Sequence, residues 1–518
     1  MENNSKSCNR CGSGHDSDLT PYAIGGMHNL VADHRRERIA DIADEEFDIR
    51  MKGGLELSPC NFMAVDYMRR RLDLAGFIQL DPAAEWELKP GGKYYMVRND
   101  TAIFAFIAGH NPTSETGFRI IAAHSDSPGF KLKPNAEIYG DGGVVSLNVE
   151  KYGGPIMYTW FDRPLSIAAR LMLRGDNPLK PRTILVDLER PVALIPHLAI
   201  HFNRSVNDGN PLSVQKDMKP VVGYFNAEEL AALKEQGGVV KSMLAEAAGV
   251  NAADILGMEA VLYPVDSTRD SVGLNFDYLM SPRLDDLSMA FCALEAIITA
   301  AEQSDKMYVY MPDPDTDATC VMAIFDNEET GSGPRQGAAA PTLRNLLERI
   351  HIALERQAHT EYFADERALD AAPEGATYYR YEPSGFYRAL ERTFLISADD
   401  AHAWHPNYNE KYDPTNHPVI GGGPVVKINA NCKYMTDSRG DAIFRNLGER
   451  AGVECQYFVN HADVAGGSTL GNILTSQLDI AGVDMGCAIW AMHSACETGS
   501  MADLADTERV FEEFFAAR

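Results

Sequence analysis

Apolar positions along the chain follow two different periods. A stripe at i, i+3 and i+4 through Leu287, Ala290, Phe291, Leu294, Ile297 and Ile298 predicts a helix directly after Asp286. Helical spacing also covers Phe62 to Leu74 and ends near Gly76. Between these lie short apolar runs of strand length, Tyr94 to Arg98, Ala102 to Ala108 and Phe118 to Ala123, separated by Gly, Asn and Pro. From about residue 132 to 270 the character changes to short β-like runs with turn signals such as Gly140-Asp141-Gly142-Gly143, Gly153-Gly154-Pro155 and Asp208-Gly209-Asn210. One Ala- and Glu-rich helical stretch, Asn226 to Ala248, interrupts them. After about residue 280 helical patterns and apolar strands alternate again.

This organisation predicts an α/β protein: a discontinuous domain of helices around a mixed sheet, with a β-rich insertion. The expected divisions are a polar mobile tail over 1–25, the first part of the α/β domain over 26–131, the insertion over 132–271 and the second part over 272–518. There is no internal repeat and no low-complexity tract.

Composition narrows the function classes. The 518 residues are 45% hydrophobic and 23% charged, an ordinary globular balance. A net charge of −27 disfavours nucleic-acid backbones and anionic membranes as partners. No apolar run approaches the roughly 20 residues of a membrane helix. The polar start carries no secretory core, and Cys292, Cys320 and Cys487 sit inside apolar runs as buried thiols would. A cytoplasmic location is expected. Cys8 and Cys11 form a lone C-x-x-C with His15 nearby, one ligand short of a structural zinc site, so it is read as part of the tail.

Five apolar runs or helix starts carry acidic or histidine side chains at their ends. They are Arg119 to Ala123 before His124-Ser125-Asp126, Arg283-Leu284-Asp285-Asp286, Val321 to Phe325 before Asp326-Asn327-Glu328-Glu329, Phe394 to Ala398 before Asp399, and Ala488 to Met492 before His493. Singly each has an ordinary reading: a loop acid, a helix N-terminal charge or a core histidine. Jointly they are what a metal centre beyond the carboxyl ends of a sheet requires, since imidazole and carboxylate suit zinc-like ions.

The chain resembles the aspartyl aminopeptidase family of two-zinc exopeptidases. The strings that carry the resemblance include His124-Ser125-Asp126-Ser127-Pro128, Thr159-Trp160-Phe161-Asp162-Arg163-Pro164-Leu165, Ile195-Pro196-His197-Leu198-Ala199-Ile200-His201 and Ser281-Pro282-Arg283-Leu284-Asp285-Asp286-Leu287. Asp326-Asn327-Glu328-Glu329, Ser397-Ala398-Asp399, His405-Pro406-Asn407-Tyr408 and Ala491-Met492-His493-Ser494 follow in family order. The resemblance implies two zinc ions per subunit, with manganese or cobalt as alternatives at one site. Asp285 would bridge them, His124 and Asp399 would complete one site, and Glu329 and His493 the other. Glu328 would be the general base that takes the proton of the attacking water, and Asp126 would orient His124. Lys427 and Tyr434 match the family's substrate side-chain and transition-state contacts. His201 matches a histidine donated across a subunit interface.

The implied activity is removal of N-terminal Asp or Glu from peptides. The insertion would act in dimerisation, within a tetrahedral homododecamer. Two alternatives stand beside this. One is a two-metal hydrolase, an aminopeptidase preferring neutral or apolar residues or an amidase; the other is a non-catalytic protein that keeps the fold. Retention of every implied ligand and of the base speaks against the second. The Gly331–Arg335 loop and the Pro312–Asp315 segment look individual to this chain.

Overall fold

The computed structural model describes residues 27–265, 268–310, 318–365 and 383–517. The polar tail with Cys8, Cys11 and His15, and the Pro312–Asp315 segment, lie outside the described residues.

A nine-stranded mixed sheet forms the centre, with strands in the order Ile78–Gln79, Lys93–Arg98, Ala102–Ile107, Thr319–Phe325, Phe118–His124, Phe394–Ala398, Ala481–Gly486, Val425–Ile428 and Gln456–Val459. Its middle strands are mostly apolar and buried, because both faces are covered. Successive residues divide between two cores: Ile121, Ala123, Met322 and Ile324 face one, and Ile120, Ala122, Val321 and Ala323 face the other. The helix Leu284–Tyr310 packs in the first core through Leu287, Ala290, Phe291, Leu294, Ile297 and Ile298, the residues of the sequence stripe.

Three neighbouring strands, Thr319–Phe325, Phe118–His124 and Phe394–Ala398, run parallel. They therefore present their carboxyl ends along one edge. Phe325 pairs with His124 in register, so the residues that follow each strand start at the same height.

A second, six-stranded antiparallel sheet is built between Gly129 and Pro264 and has its own core around Phe130, Trp160, Leu171 and Leu244. The predicted helical stretch Asn226–Ala248 is two helices, Ala227–Glu235 and Val239–Ala248. Gly237 and Gly238, both at positive φ (97° and 107°), break it.

Helices Met27–Ala43 and Phe47–Glu56 precede the first segment that the apolar pattern marked. Phe47–Glu56 buries only Met51, Gly54 and Leu55, too short a stripe to stand out from its sequence. Among the described residues no helix is long and apolar enough to cross a membrane. Cys292, Cys320 and Cys487 are buried, as their apolar settings predicted.

Candidate metal centre

Side chains from five segments converge at the edge formed by the three parallel strands. His124 ends its strand and is buried. Asp399 follows Phe394–Ala398. Glu328 and Glu329 occupy a single 3-10 turn after Thr319–Phe325, entered through Asn327 in the left-handed region (φ 64°). Asn accepts that conformation at little cost, and its amide is held between the Tyr152 hydroxyl (2.9 Å) and Gln336 (2.9 Å). The other two ligand candidates arrive on connections outside the central sheet. Asp285 and Asp286 open the helix Leu284–Tyr310 with non-helical backbone angles, joined by a cis peptide bond. His493 sits at φ 69° in the loop after the two-residue strand Ala488–Ile489.

Both imidazoles are oriented by backbone carbonyls. His124 Nδ1 lies 2.9 Å from the carbonyl oxygen of Asp126, and His493 Nδ1 lies 3.2 Å from that of Gly154. Each Nδ1 is therefore assigned the proton, which leaves the Nε2 lone pair facing the carboxylates. Asp285 stands between the two rings. Its Oδ1 is 3.4 Å from His124 Nε2 and its Oδ2 is 3.3 Å from His493 Nε2, while Glu329 Oε1 is also 3.3 Å from His493 Nε2.

These separations exceed the roughly 2.7–2.9 Å of a charge-assisted hydrogen bond. They match the edge of a zinc tetrahedron, about 3.3–3.5 Å for ligand bonds of about 2.0–2.2 Å. Asp285 Oδ1 is buried without a hydrogen-bond partner, as an atom reserved for a cation would be. Ligand atoms of His124, Asp285 and Asp399 lie within 4.8 Å of one another, and so do those of Asp285, Glu329 and His493. His124, Glu328 and Glu329 form a third such group, which puts Glu328 beside the same centre. The donor set fits zinc.

Electrostatics point the same way. Burial and the neighbouring Asp399, Asp285 and Asp126 push Glu328 up to about 7, against the pull of His124. Burial and Asp285 push Glu329 up to about 10. The His124 ring is itself held well above the usual range: burial opposes its charge, but Asp286, Asp126 and Asp285 outweigh that. So many acids crowd one buried space that positive charge is needed to balance them.

Asp126 does more than the sequence suggested. Its carboxylate accepts the backbone N–H of Glu328 (3.1 Å) and of Glu329 (3.2 Å) and the Tyr152 hydroxyl (2.7 Å). The bond that fixes the His124 ring comes from its main-chain carbonyl; the nearer carboxylate oxygen is 3.5 Å from Nδ1. The side chain thus holds the turn that carries Glu328 and Glu329.

Lys427 is buried on the strand Val425–Ile428, with Nζ 3.4 Å from Asp399 Oδ2 and 5.7 Å from the Tyr434 ring centre. Asp399 and Tyr434 hold its pKa above the ordinary lysine range despite burial. It is no solvent-facing strand lysine. His201 is exposed on a turn of the second sheet's connections, and no described hydrogen bond or ion pair joins it to the cluster within the chain.

The sequence pattern had not marked Glu497, Tyr152 or Gly486 for this site. At Gly486 an added Cβ would fall on the carbonyl oxygen of Asp399, so only glycine lets the strand Ala481–Gly486 approach that closely.

Residues 55–515 match the sequence profile of the family described as aminopeptidase I zinc metalloprotease (M18). A probable M18 family aminopeptidase 2 of Clostridium novyi is 39% identical over 458 residues, covering 88% of this chain and 96% of the relative. A protein of the same description from Pseudomonas aeruginosa is 36% identical over 463 residues, covering 89% and 96%. Among solved structures, Ape4 in a complex with Nbr1 is similar at TM-score 0.79 and 30% identity, covering 94% of this chain and 87% of that one. The mApe1 dodecamer of S. cerevisiae is similar at TM-score 0.72 and 26% identity, covering 94% and 97%.

Proposed function

Because the chain belongs to the M18 family of zinc metallo-aminopeptidases, we propose that it removes N-terminal aspartate or glutamate from peptides at a centre of two zinc ions per subunit. The observation that carries the two-metal reading is Asp285, whose two oxygens face the Nε2 atoms of His124 and His493 at 3.4 and 3.3 Å. In this reading His124, Asp285 and Asp399 hold one ion, and Asp285, Glu329 and His493 hold the other. Bound there, the ions would polarise the scissile carbonyl and make a water nucleophilic at neutral pH. Manganese or cobalt could replace zinc at one site, because carboxylate-rich ligand sets discriminate poorly.

Glu328 is the general base. Its carboxylate takes a proton from the attacking water and returns it to the departing amine. Asp126 keeps Glu328 and Glu329 in place through their backbone N–H groups. Lys427 supplies a positive charge beside Asp399 at the edge of the site, which favours an acidic side chain in the first substrate position, with Tyr434 next to it.

The stretch with exposed Leu198, Ile200 and Phe202 around His201 suits contact with a second copy. Together with the similarity to a dodecameric yeast enzyme, this supports a homododecamer of tetrahedral form, with the 132–271 insertion as its dimerisation unit and His201 reaching a neighbouring site. A cytoplasmic location accompanies this reading.

The test is initial rates on aspartyl-, glutamyl- and leucyl-p-nitroanilide before and after chelation and zinc return. Chelator-sensitive, zinc-restored cleavage favouring the acidic residues is expected. A preference for leucine would replace the specificity and leave the reaction. Glu328→Gln is expected to abolish nearly all turnover with zinc content unchanged; a normal rate would remove the base assignment.

A further inference from the structure

We propose that Glu497, which neither binds metal nor acts as base in the scheme above, is the positioning residue that locks the bridging Asp285 to His493 and thereby sets zinc affinity. The inference rests on the two-metal reading of the site.

Glu497 begins the short strand Glu497–Gly499, which pairs with Tyr278–Ser281 so that Glu497 lies opposite Ser281. It is 1% exposed. Its Oε1 accepts the backbone N–H of His493 at 2.6 Å, and its Oε2 accepts the backbone N–H of Asp285 at 3.1 Å. Among the described residues no ion pair within 4 Å joins it to a cation, although the Arg283 guanidinium is near enough to feel its charge. Both of its oxygens are thus committed to the main chain of ligand residues that lie far apart in sequence.

The His493 loop needs such a restraint. His493 has φ 69° and Ala491, two residues earlier, φ 55°, the left-handed region that non-glycine residues rarely adopt. Asp285 has non-helical angles at the start of a helix (φ −77°, ψ 105°). The two left-handed conformations persist only where surrounding bonds over-determine them, whereas Asp285 is extended backbone whose position, not its strain, the clamp fixes. One buried carboxylate that takes an N–H from each loop holds both Asp285 and His493 at the 3.3 Å separation a shared ion requires. The arrangement parallels Asp126, which collects the N–H groups of Glu328 and Glu329. Two buried acids outside the ligand set therefore clamp four residues of the site.

Glu497→Gln keeps the volume but sets an amide NH2 against one of the two N–H donors, so one clamp bond is lost. Losing such a support to a metal ligand typically weakens metal binding by about 10- to 100-fold. The loss should fall most on the site that contains His493, with a smaller change at the His124 and Asp399 site, because Asp285 is shared.

Chelated wild type and E497Q would be titrated with zinc against a competing chromophoric chelator, alongside thermal unfolding of the chelated forms. The expected result is two sites in the wild type, one of them weakened about 10- to 100-fold in E497Q, with apo unfolding temperatures alike. At limiting zinc kcat should fall with KM unchanged, and excess zinc should restore kcat. Equal zinc affinities in the two proteins would overturn the inference alone. An apo form of E497Q that unfolds well below the wild-type apo form would reassign Glu497 to holding the fold. A wild type that takes up fewer than two zinc ions would overturn the two-metal reading and the inference with it.

Discussion

Asp126→Asn isolates the part of the site built to hold rather than to react. The Asp126 carboxylate is 2% exposed and accepts three hydrogen bonds: from Glu328 N, Glu329 N and the Tyr152 hydroxyl. Asparagine fits the same space, but one oxygen becomes an NH2. If that group replaces Oδ1 it faces the Glu328 N–H; if it replaces Oδ2 it faces the Glu329 N–H. Either way a donor meets a donor, and a half-buried N–H loses its charged acceptor, a cost of up to about 1.5–3 kcal/mol. The turn Glu328–Thr330 relieves this by moving, because it is one short 3-10 turn entered through a left-handed Asn327. At about 1.4 kcal/mol per tenfold change in rate, kcat should fall about 10- to 100-fold. KM should hardly change, since Asp126 lies beneath the turn and does not meet the peptide. Steady-state kinetics on aspartyl-p-nitroanilide, zinc content by elemental analysis and thermal unfolding would be measured together. A D126N protein with wild-type kcat but an unfolding free energy lower by about 1.5–3 kcal/mol would refute the argument, because the bonds would then serve the fold and not the placement of Glu328.

Three further outcomes follow from single features. Lys427→Met removes the buried charge beside Asp399. At an effective dielectric near 20, a unit charge pair about 4 Å apart is worth up to about 4 kcal/mol. Because Asp399 already draws on that charge, the ratio of kcat/KM for aspartyl over leucyl substrate should fall about 10- to 100-fold, and an unchanged ratio would remove Lys427 from specificity. Gly486→Ala should push Asp399 off its position and lower zinc content, because the new methyl group meets backbone rather than a flexible side chain; full zinc occupancy would contradict the close approach. Burial, Glu512 and Glu295 raise Glu508 to about 8 against the pull of Arg50. Its folded-state pKa therefore lies above its unfolded value, so the stability it permits is complete below about pH 4.5 and falls as pH rises toward 8. Glu508→Gln should raise the unfolding temperature at pH 8–9, and the gain should vanish near pH 4.5; an equal gain at both would rule out the titration of Glu508 as its source.

Much of the site was legible before any coordinates, for a local reason. An uninterrupted apolar run such as Val321–Phe325 or Ile120–Ala123 is a strand buried on both faces, and the first polar residues after it mark its carboxyl end. That placed His124, Glu328, Glu329 and Asp399 at strand ends, and the helical stripe after Asp286 placed Asp285 at a helix start. Their assignment to particular roles came from resemblance to a family, not from these patterns.

The order of the strands was decided by tertiary structure. Thr319–Phe325, Phe118–His124 and Phe394–Ala398 are neighbours in the sheet and far apart along the chain, and no periodicity encodes which buried strand lies beside which. The same holds for the carboxylates. A sequence shows that Asp126 and Glu497 are acids close to histidines. Only packing gives Asp126 the N–H groups of Glu328 and Glu329, and Glu497 those of Asp285 and His493. It also buries Lys427 against Asp399. The physical reason is one of range. Apolar period and turn chemistry act over a few residues and are written in adjacent letters, whereas a buried charge is stabilised by partners that reach it only when distant segments fold onto it.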